Sequence, residues 1–339
     1  MSNPEKRASV SCTIPCDLCG SSEVDELSLR DRDWNRLHTV ICRRCGLVYT
    51  DPRPNNDEIR DYYEHHYRLD YQSTWQPKPK HVYRAGKVAA ARFKKLAPIL
   101  QPTHRILDIG AGGGEVVFLL RTLGYDAFGI EPNAGYASFA MDVLGMPVAH
   151  AFYQDARVDQ ESVDVITMFH VLEHFDSPCD ALRHAWQWLR QDGFLLVEVP
   201  NVAAVCGWPH GRFHRAHLYN FNPATLEGCG RKVGYQVFAS SVSPDGGNAI
   251  IVFVKRGTLS SFSGEIPGNY DRIMHVLRRH TALRHLLTRH PYVRPFRRIA
   301  ARLEERKVAH VAESPVAILS RLVPHDISPI SHADSPAAE

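Results

Sequence analysis

Apolar runs bounded by turn formers recur along residues 103–256: RILDIG, DAFGIE, PVAHA, SVDVITMF, GFLLVEVP, QVFASSV and AIIVFVKR, which read as strands. Between them EVVFLLRTLG, AGYASFAMDVLG, DALRHAWQWLR and PATLEGCGRKVG carry helical spacing, with Gly124, Gly145 and Gly234 where C-caps fall. Such alternation calls for a mostly parallel sheet with helices on both faces. The last two strands are joined only by SPDGGN, too short for a parallel crossover, so they pair antiparallel. The expectation is an α/β domain: a doubly wound sheet of seven strands with an antiparallel hairpin at one edge.

Outside this block the pattern changes. Residues 1–55 are punctuated by cysteines and turn formers. Residues 56–100 read as a helical linker: NNDEIRDYYEHHY, a break at QPKPK, then HVYRAGKVAAARFKKLAPIL, closed off by Pro102. Residues 257–325 read as two or three basic helices broken near Pro291 and Pro295, and residues 326–339 as a disordered Ser/Pro/Ala tail. No segment repeats.

Charge sharpens this division. The net charge of the 339 residues is +3, but Lys255 to Lys307 hold 13 Lys/Arg against Glu265, Asp271, Glu304 and Glu305, leaving −6 for the rest. A basic segment on an acidic body suits an anionic partner: RNA, a membrane surface or a phosphorylated substrate. A solvated helix face explains it as well. No apolar run approaches the roughly 20 residues of a membrane span, and MSNPEKRASV has no secretory h-region. The expected location is cytoplasmic, with peripheral attachment to the inner face of the membrane left open, as is the oligomeric state.

Eight cysteines without a signal peptide point to a reducing compartment. Cys16-Asp-Leu-Cys19-Gly and Cys42-Arg-Arg-Cys45-Gly form two knuckles separated by 22 residues. Two thiolates from each complete a closed, structural Zn2+ site; a redox pair would not come doubled. Cys12, Cys179, Cys206 and Cys229 read as ordinary thiols.

Residues 108–114 spell D-I-G-A-G-G-G after the first strand. A dinucleotide loop wants a third glycine at position 115, which is Glu115. A carboxylate there repels a pyrophosphate, and Asp108 adds a second acid. The loop therefore suits a cofactor with an ammonium and no phosphate, S-adenosylmethionine. Glu131, 21 residues beyond Gly110, ends the next strand, where an acid accepts hydrogen bonds from ribose hydroxyls.

ILDIGAGGG, FGIEPN, SVDVITMFHVLEHF and LRQDGFLLVEVPN, in this order, resemble the successive motifs of class I S-adenosylmethionine-dependent methyltransferases over about residues 80–256. The resemblance implies a Rossmann-like catalytic domain over 101–256, with Asp108, Gly110, Gly112 and Glu131 on the cofactor. It sets Gln154, Asp155 or Ala156 near the adenine, and Phe169 and His170 beside the methyl donor. CDLCG…ICRRCGLVYTDPRPNNDEIRDYYEHHY is similar to the N-terminal region of bacterial methyltransferases of surface-polysaccharide and deoxysugar synthesis, where a zinc ribbon and helical linker precede the catalytic domain.

HVLEH, residues 170–174, matches an inverted zinc-protease motif in form, but that motif must lie on one helix. Here it leaves a strand and runs into FDSP, a helix start with Asp176 or Ser177 as N-cap and Pro178 first. It reads as the rim of the site. After the fifth strand, NVAAVCGWPHGRFHRAHLYNFNPATL enters the region where open α/β sheets bind substrate. His217 in H-L-Y-N-F is similar to the histidine of the H-L-x-Y-F segment of deoxysugar C-methyltransferases, where it is the proposed base and follows a glutamate. Ala216 stands in that glutamate's place, which favours O-methylation. His217 is the first choice of base, His170 or His214 the second, against histidines that merely line a polar pocket.

The expected activity is methyl transfer to a small-molecule or lipid-linked sugar, nucleotide-linked sugars included. The alternatives are methylation of an RNA base, with the basic helices on phosphates, O-methylation of a small aromatic or isoprenoid compound, and a binding protein that has lost catalysis.

Overall fold

The computed structural model describes residues 13–53, 56–61, 64, 74–256, 262–310 and 314–324. Its larger sheet joins β4 (Arg105–Ile109), β5 (Asp126–Glu131), β6 (Val148–His150), β7 (Val163–Phe169), β8 (Leu189–Pro200), β10 (Gln236–Val242) and β11 (Asn248–Val254). Their order is β10-β11-β8-β7-β4-β5-β6. The pairs among β4 to β8 are parallel, and β11 runs antiparallel to both neighbours. The seven-stranded, doubly wound expectation stands.

Successive strand residues face opposite sides. Ile106, Val165 and Leu196 pack with Ala89, Phe93 and Val117 on one face, while Leu107, Ile166 and Val197 pack with Leu182 and Leu226 on the other. Burial on both faces explains the near-continuous apolar runs. Helix ends follow local chemistry. Ser177, of the two residues foreseen, caps the Pro178–Trp188 helix by accepting from Asp180 N. Asn222 and Thr225 form a reciprocal capping box at the start of Pro223–Val233, which Gly234 ends in the left-handed conformation.

The cysteine-rich region folds as a second sheet of β1 (Val24–Arg30), β2 (Arg36–Cys42) and β3 (Val48–Thr50), extended by β9 (Tyr219–Asn220) from the long insertion after β8. β3 and β9 pair antiparallel, Val48 with Asn220 and Tyr49 with Tyr219. Asp17, between the first two cysteines, accepts from Ser177 Oγ at 2.7 Å and Cys179 N at 2.8 Å, placing a carboxylate at the Pro178–Trp188 N-terminus.

The Pro79–Leu96 helix of the linker packs against the Glu115–Thr122 helix. The C-terminal segment contains helices Asn269–Arg279, Ala282–Leu286, His290–His310 and Pro315–Ser320. The break expected near Pro291 is present, between Ala282–Leu286 and His290–His310, but none occurs at Pro295, which the second helix runs through. Pro291 lies in the first turn, where its N–H has no partner to lose, and Pro295 removes a single bond further in. No helix of the described residues is long and apolar enough to cross a membrane. The tail 326–339 and Cys12 lie outside the described residues.

Candidate active site

A cavity of about 780 Å3 opens at the carboxyl ends of β4, β5 and β7. The glycine loop leaves β4 with Gly110 and Gly112 at φ 74° and 58°. Gly110 N donates to Ile130 O at 2.8 Å, and a Cβ on Gly110 would lie 2.2 Å from Val171 Cγ1. The loop is thus pressed against the rim that follows β7, and only glycine fits.

Two acids flank it. Asp108 is buried, accepts from Thr167 Oγ1 at 2.6 Å, and is pushed up to about 6 by burial. Glu131 accepts from Gly112 N at 2.8 Å and Asn133 N at 3.1 Å, which holds its carboxylate at the cavity wall. The left-handed turns at Gly110 and Gly112, a buried carboxylate and a second carboxylate fit the ammonium and ribose of S-adenosylmethionine. Of the residues foreseen near its adenine, Gln154 lines the cavity. Asp155 does not: its carboxylate turns outward to Arg60, and Ala156 packs toward the core.

Phe169 lines the cavity under the guanidinium of Arg92, 4.4 Å above its ring. His170 follows at φ 57°, its N–H donating to Glu198 O at 2.8 Å. Its ring sits between two carboxylates, Nε2 at 3.3 Å from Glu198 and Nδ1 at 3.5 Å from Glu173. Burial opposes a charge on His170, but Glu173 and Glu198 outweigh it and raise the ring to about 9. His170 so raised is cationic near neutrality, which sets it behind the neutral His214 and His217 as a candidate base. Glu198 also accepts from Lys95 and, at 3.0 Å, from Asn248.

HVLEH lies on no α-helix; Leu172–His174 make a single tight turn, so its two histidines are not a protease pair. The turn instead brings Glu173 and His174 to His217. The three ligand atoms lie within 4.8 Å of one another. Neither carboxylate oxygen of Glu173 has a hydrogen-bond partner, although the group is buried. His174 Nδ1 is held at 2.7 Å by Ala216 O, which leaves Nε2 turned to Glu173 at 3.9 Å. This donor set could hold a divalent cation, given side-chain closure to ligand distances of about 2 Å. His217 is lowered to about 3 and His214 to about 4, in both cases first by burial, so both are neutral. Both line the cavity.

The second sheet positions His217. Thr50 N donates to Leu218 O at 2.9 Å, and β3 pairs with β9 immediately beyond. Cys16 and Cys45 sulfurs are 3.4 Å apart, as are those of Cys19 and Cys42, and all four lie within 4.8 Å. Four thiols so gathered, with Zn–S bonds of about 2.3 Å, fit a closed tetrahedral zinc. Glu173, Glu198 and Arg92 were missed as site residues from sequence. Arg92 left one signal, a cation beside the apolar stripe of Ala89, Phe93 and Leu96.

Residues 81–240 match the family model of a methyltransferase domain. The chain is similar to the ubiquinone biosynthesis O-methyltransferase of Paramagnetospirillum magneticum, 26% identical over 149 residues, 39% of this chain and 60% of that protein. A protein of the same name from Roseobacter denitrificans is 31% identical over 117 residues, 31% of this chain and 47% of that protein. The chain thus spans about half the length of the curated relatives it matches. Among solved structures, a SAM-dependent methyltransferase from Archaeoglobus fulgidus aligns at TM-score 0.43 and 17% identity over 50% of this chain and 94% of that one.

Proposed function

We propose that the chain is an S-adenosylmethionine-dependent methyltransferase that acts on a hydroxyl of a sugar carried on a nucleotide or a lipid. One observation carries the reading: a glycine loop flanked by Asp108 and Glu131 opens into the same cavity as the neutral rings of His214 and His217. S-adenosylmethionine, when bound, supplies an electrophilic methyl group on a sulfonium. The chain's own task is to align the acceptor oxygen behind that carbon and to receive its proton. A ring nitrogen of His217 would receive the proton that the acceptor hydroxyl gives up on methylation. That ring is neutral beforehand, and the charge of Glu173 steadies the imidazolium that results. His170, already cationic, holds the rim against β8 through Glu198. Arg32 lines the cavity as well and suits an acceptor with an anionic carrier, while Arg60 and Arg84, also on its wall, are held by Asp155 and Glu305.

O-methylation is favoured because Ala216 replaces the glutamate of the C-methylating pattern and its carbonyl serves His174 instead. A second reading, O-methylation of a small aromatic or isoprenoid compound, is supported by the names of the curated relatives. The test is transfer of labelled methyl from S-adenosylmethionine into fractionated cell extract by wild type, Asp108→Asn and His217→Ala. Label in nucleotide sugars or lipid-linked glycans, lost in both variants, is expected. Label in an aromatic or isoprenoid fraction selects the second reading. Label in RNA, or none despite cofactor binding, overturns both.

A further inference from the structure

The His290–His310 helix presents its apolar side outward. Tyr292, Phe296, Ile299 and Leu303 recur at four-, three- and four-residue steps, which puts them on one face. They are 59, 73, 53 and 53% exposed. Glu305 stands nine residues after Phe296, two and a half turns on, and so on the opposite face. It is buried and accepts from Arg84 Nε and Nη2 at 2.7 and 2.6 Å, while Lys87 Nζ reaches Glu304 at 2.6 Å. The helix thus docks on Pro79–Leu96 by its polar side. A surface helix ordinarily does the reverse. Leu283 in the preceding helix and Leu287 just past its end are also exposed, at 71 and 81%. Arg306 and Lys307 flank the stripe on its two sides, Arg302 stands at its edge, and no acidic residue pairs with them among the described residues.

We infer that this face is a docking site for an anionic membrane surface, with the apolar stripe at the acyl boundary and the basic side chains among the lipid phosphates. An exposed apolar stripe flanked by basic residues is the composition that lies in a bilayer interface. A second copy fits poorly, because two such faces would oppose cation with cation. Phosphate contacts to a nucleic acid would use the basic side chains and leave the stripe in water. The stripe decides for lipid.

The face lies close to the cavity. The same helix meets the cavity wall by its other side: Arg84 lines the cavity and also holds Glu305, so one helix thickness, about 10–12 Å, separates the two. Resting on the proposed methyltransferase reading, this selects an acceptor carried on an amphiphile in the bilayer, either a lipid-linked sugar or an isoprenoid compound, over one on a soluble nucleotide.

The experiment is sedimentation of the full chain with vesicles of phosphatidylcholine alone or mixed with phosphatidylglycerol. On the order of tenfold stronger partitioning onto the anionic vesicles is expected, falling as salt rises. Phe296→Glu with Ile299→Glu should lower it by on the order of tenfold while cofactor binding and circular dichroism stay unchanged. A Phe296→Trp chain should shift its emission to the blue on those vesicles. The inference is overturned if wild type stays in the supernatant, if the double variant pellets like wild type, or if the tryptophan emission remains that of water. It is equally overturned by RNA binding without vesicle binding, or by a dimer that the same two substitutions dissolve. No acceptor or cofactor is needed for this readout, so its failure leaves the methyltransferase reading standing, and failure of that reading leaves the docking result intact.

Discussion

Gly110→Ala combines two separable costs. At φ 74° an alanine occupies the left-handed region, worth about 1–2 kcal/mol. Its Cβ would also lie 2.2 Å from Val171 Cγ1 and 3.2 Å from Val171 Cβ, an overpacking of about 1–3 kcal/mol. The variant should therefore lose about 2–5 kcal/mol in urea unfolding. Gly124→Ala isolates the first cost, because Gly124 has φ 93° and nothing within 4 Å of the added carbon. It should lose only about 1–2 kcal/mol. Val171→Ala removes the obstructing γ carbons, costs about 1 kcal/mol by itself, and in combination should recover the overpacking part. The double-mutant cycle then shows a favourable coupling of about 1–3 kcal/mol. Because Val171 follows His170, Gly110→Ala should also weaken S-adenosylmethionine binding in calorimetry, with partial rescue in the double variant. Strictly additive costs, or a Gly110→Ala no worse than Gly124→Ala, would refute the reasoning that the loop and the rim are in contact.

Three further outcomes are expected. Stability should peak near pH 6.5: His170, raised to about 9, contributes stability present below 6.5 and lost as pH rises through 9. His214 and His217, lowered to about 4 and 3, take stability away as pH falls below 6.5. His170→Gln should flatten the alkaline limb of urea midpoints against pH; an unchanged limb removes His170 as its source. Cys42→Ser should release one zinc per chain, measured by elemental analysis, with loss of the roughly 10–16 kcal/mol a structural zinc supplies to its lobe. Methyl transfer should fall with it as β9 loses β3, while cofactor affinity holds within about threefold, since the glycine loop belongs to the other sheet; parallel loss of both would contradict this division. Finally, protein that keeps its ribbon zinc should take up about one equivalent of Co2+ without a thiolate charge-transfer band and lose methyl transfer as the ion takes the His217 ring, and Glu173→Gln should not take it up. Equal uptake by both would remove that cation site.

Much of this molecule was legible in sequence because its signals are local. The seven strands of the larger sheet, the antiparallel SPDGGN hairpin and the Ser177 and Asn222 caps depend on neighbours a few residues away. So do the four cysteines and the glycine loop between Asp108 and Glu131, where residue types and spacing together pointed to the chemistry. Other features had no such signal. A strand of two residues, β9, has no periodicity to read, and its partner β3 lies some 170 positions earlier. The charge on His170 is set by Glu198 as well as by Glu173, and Asp155 is paired with Arg60 rather than lining the cavity. Glu173 became a candidate ligand only when the insertion carried His217 to it. The sequence by itself determined which residue types were available and the local geometry of each loop. Tertiary structure decided which of them meet and in what protonation state, because electrostatics and burial act through space.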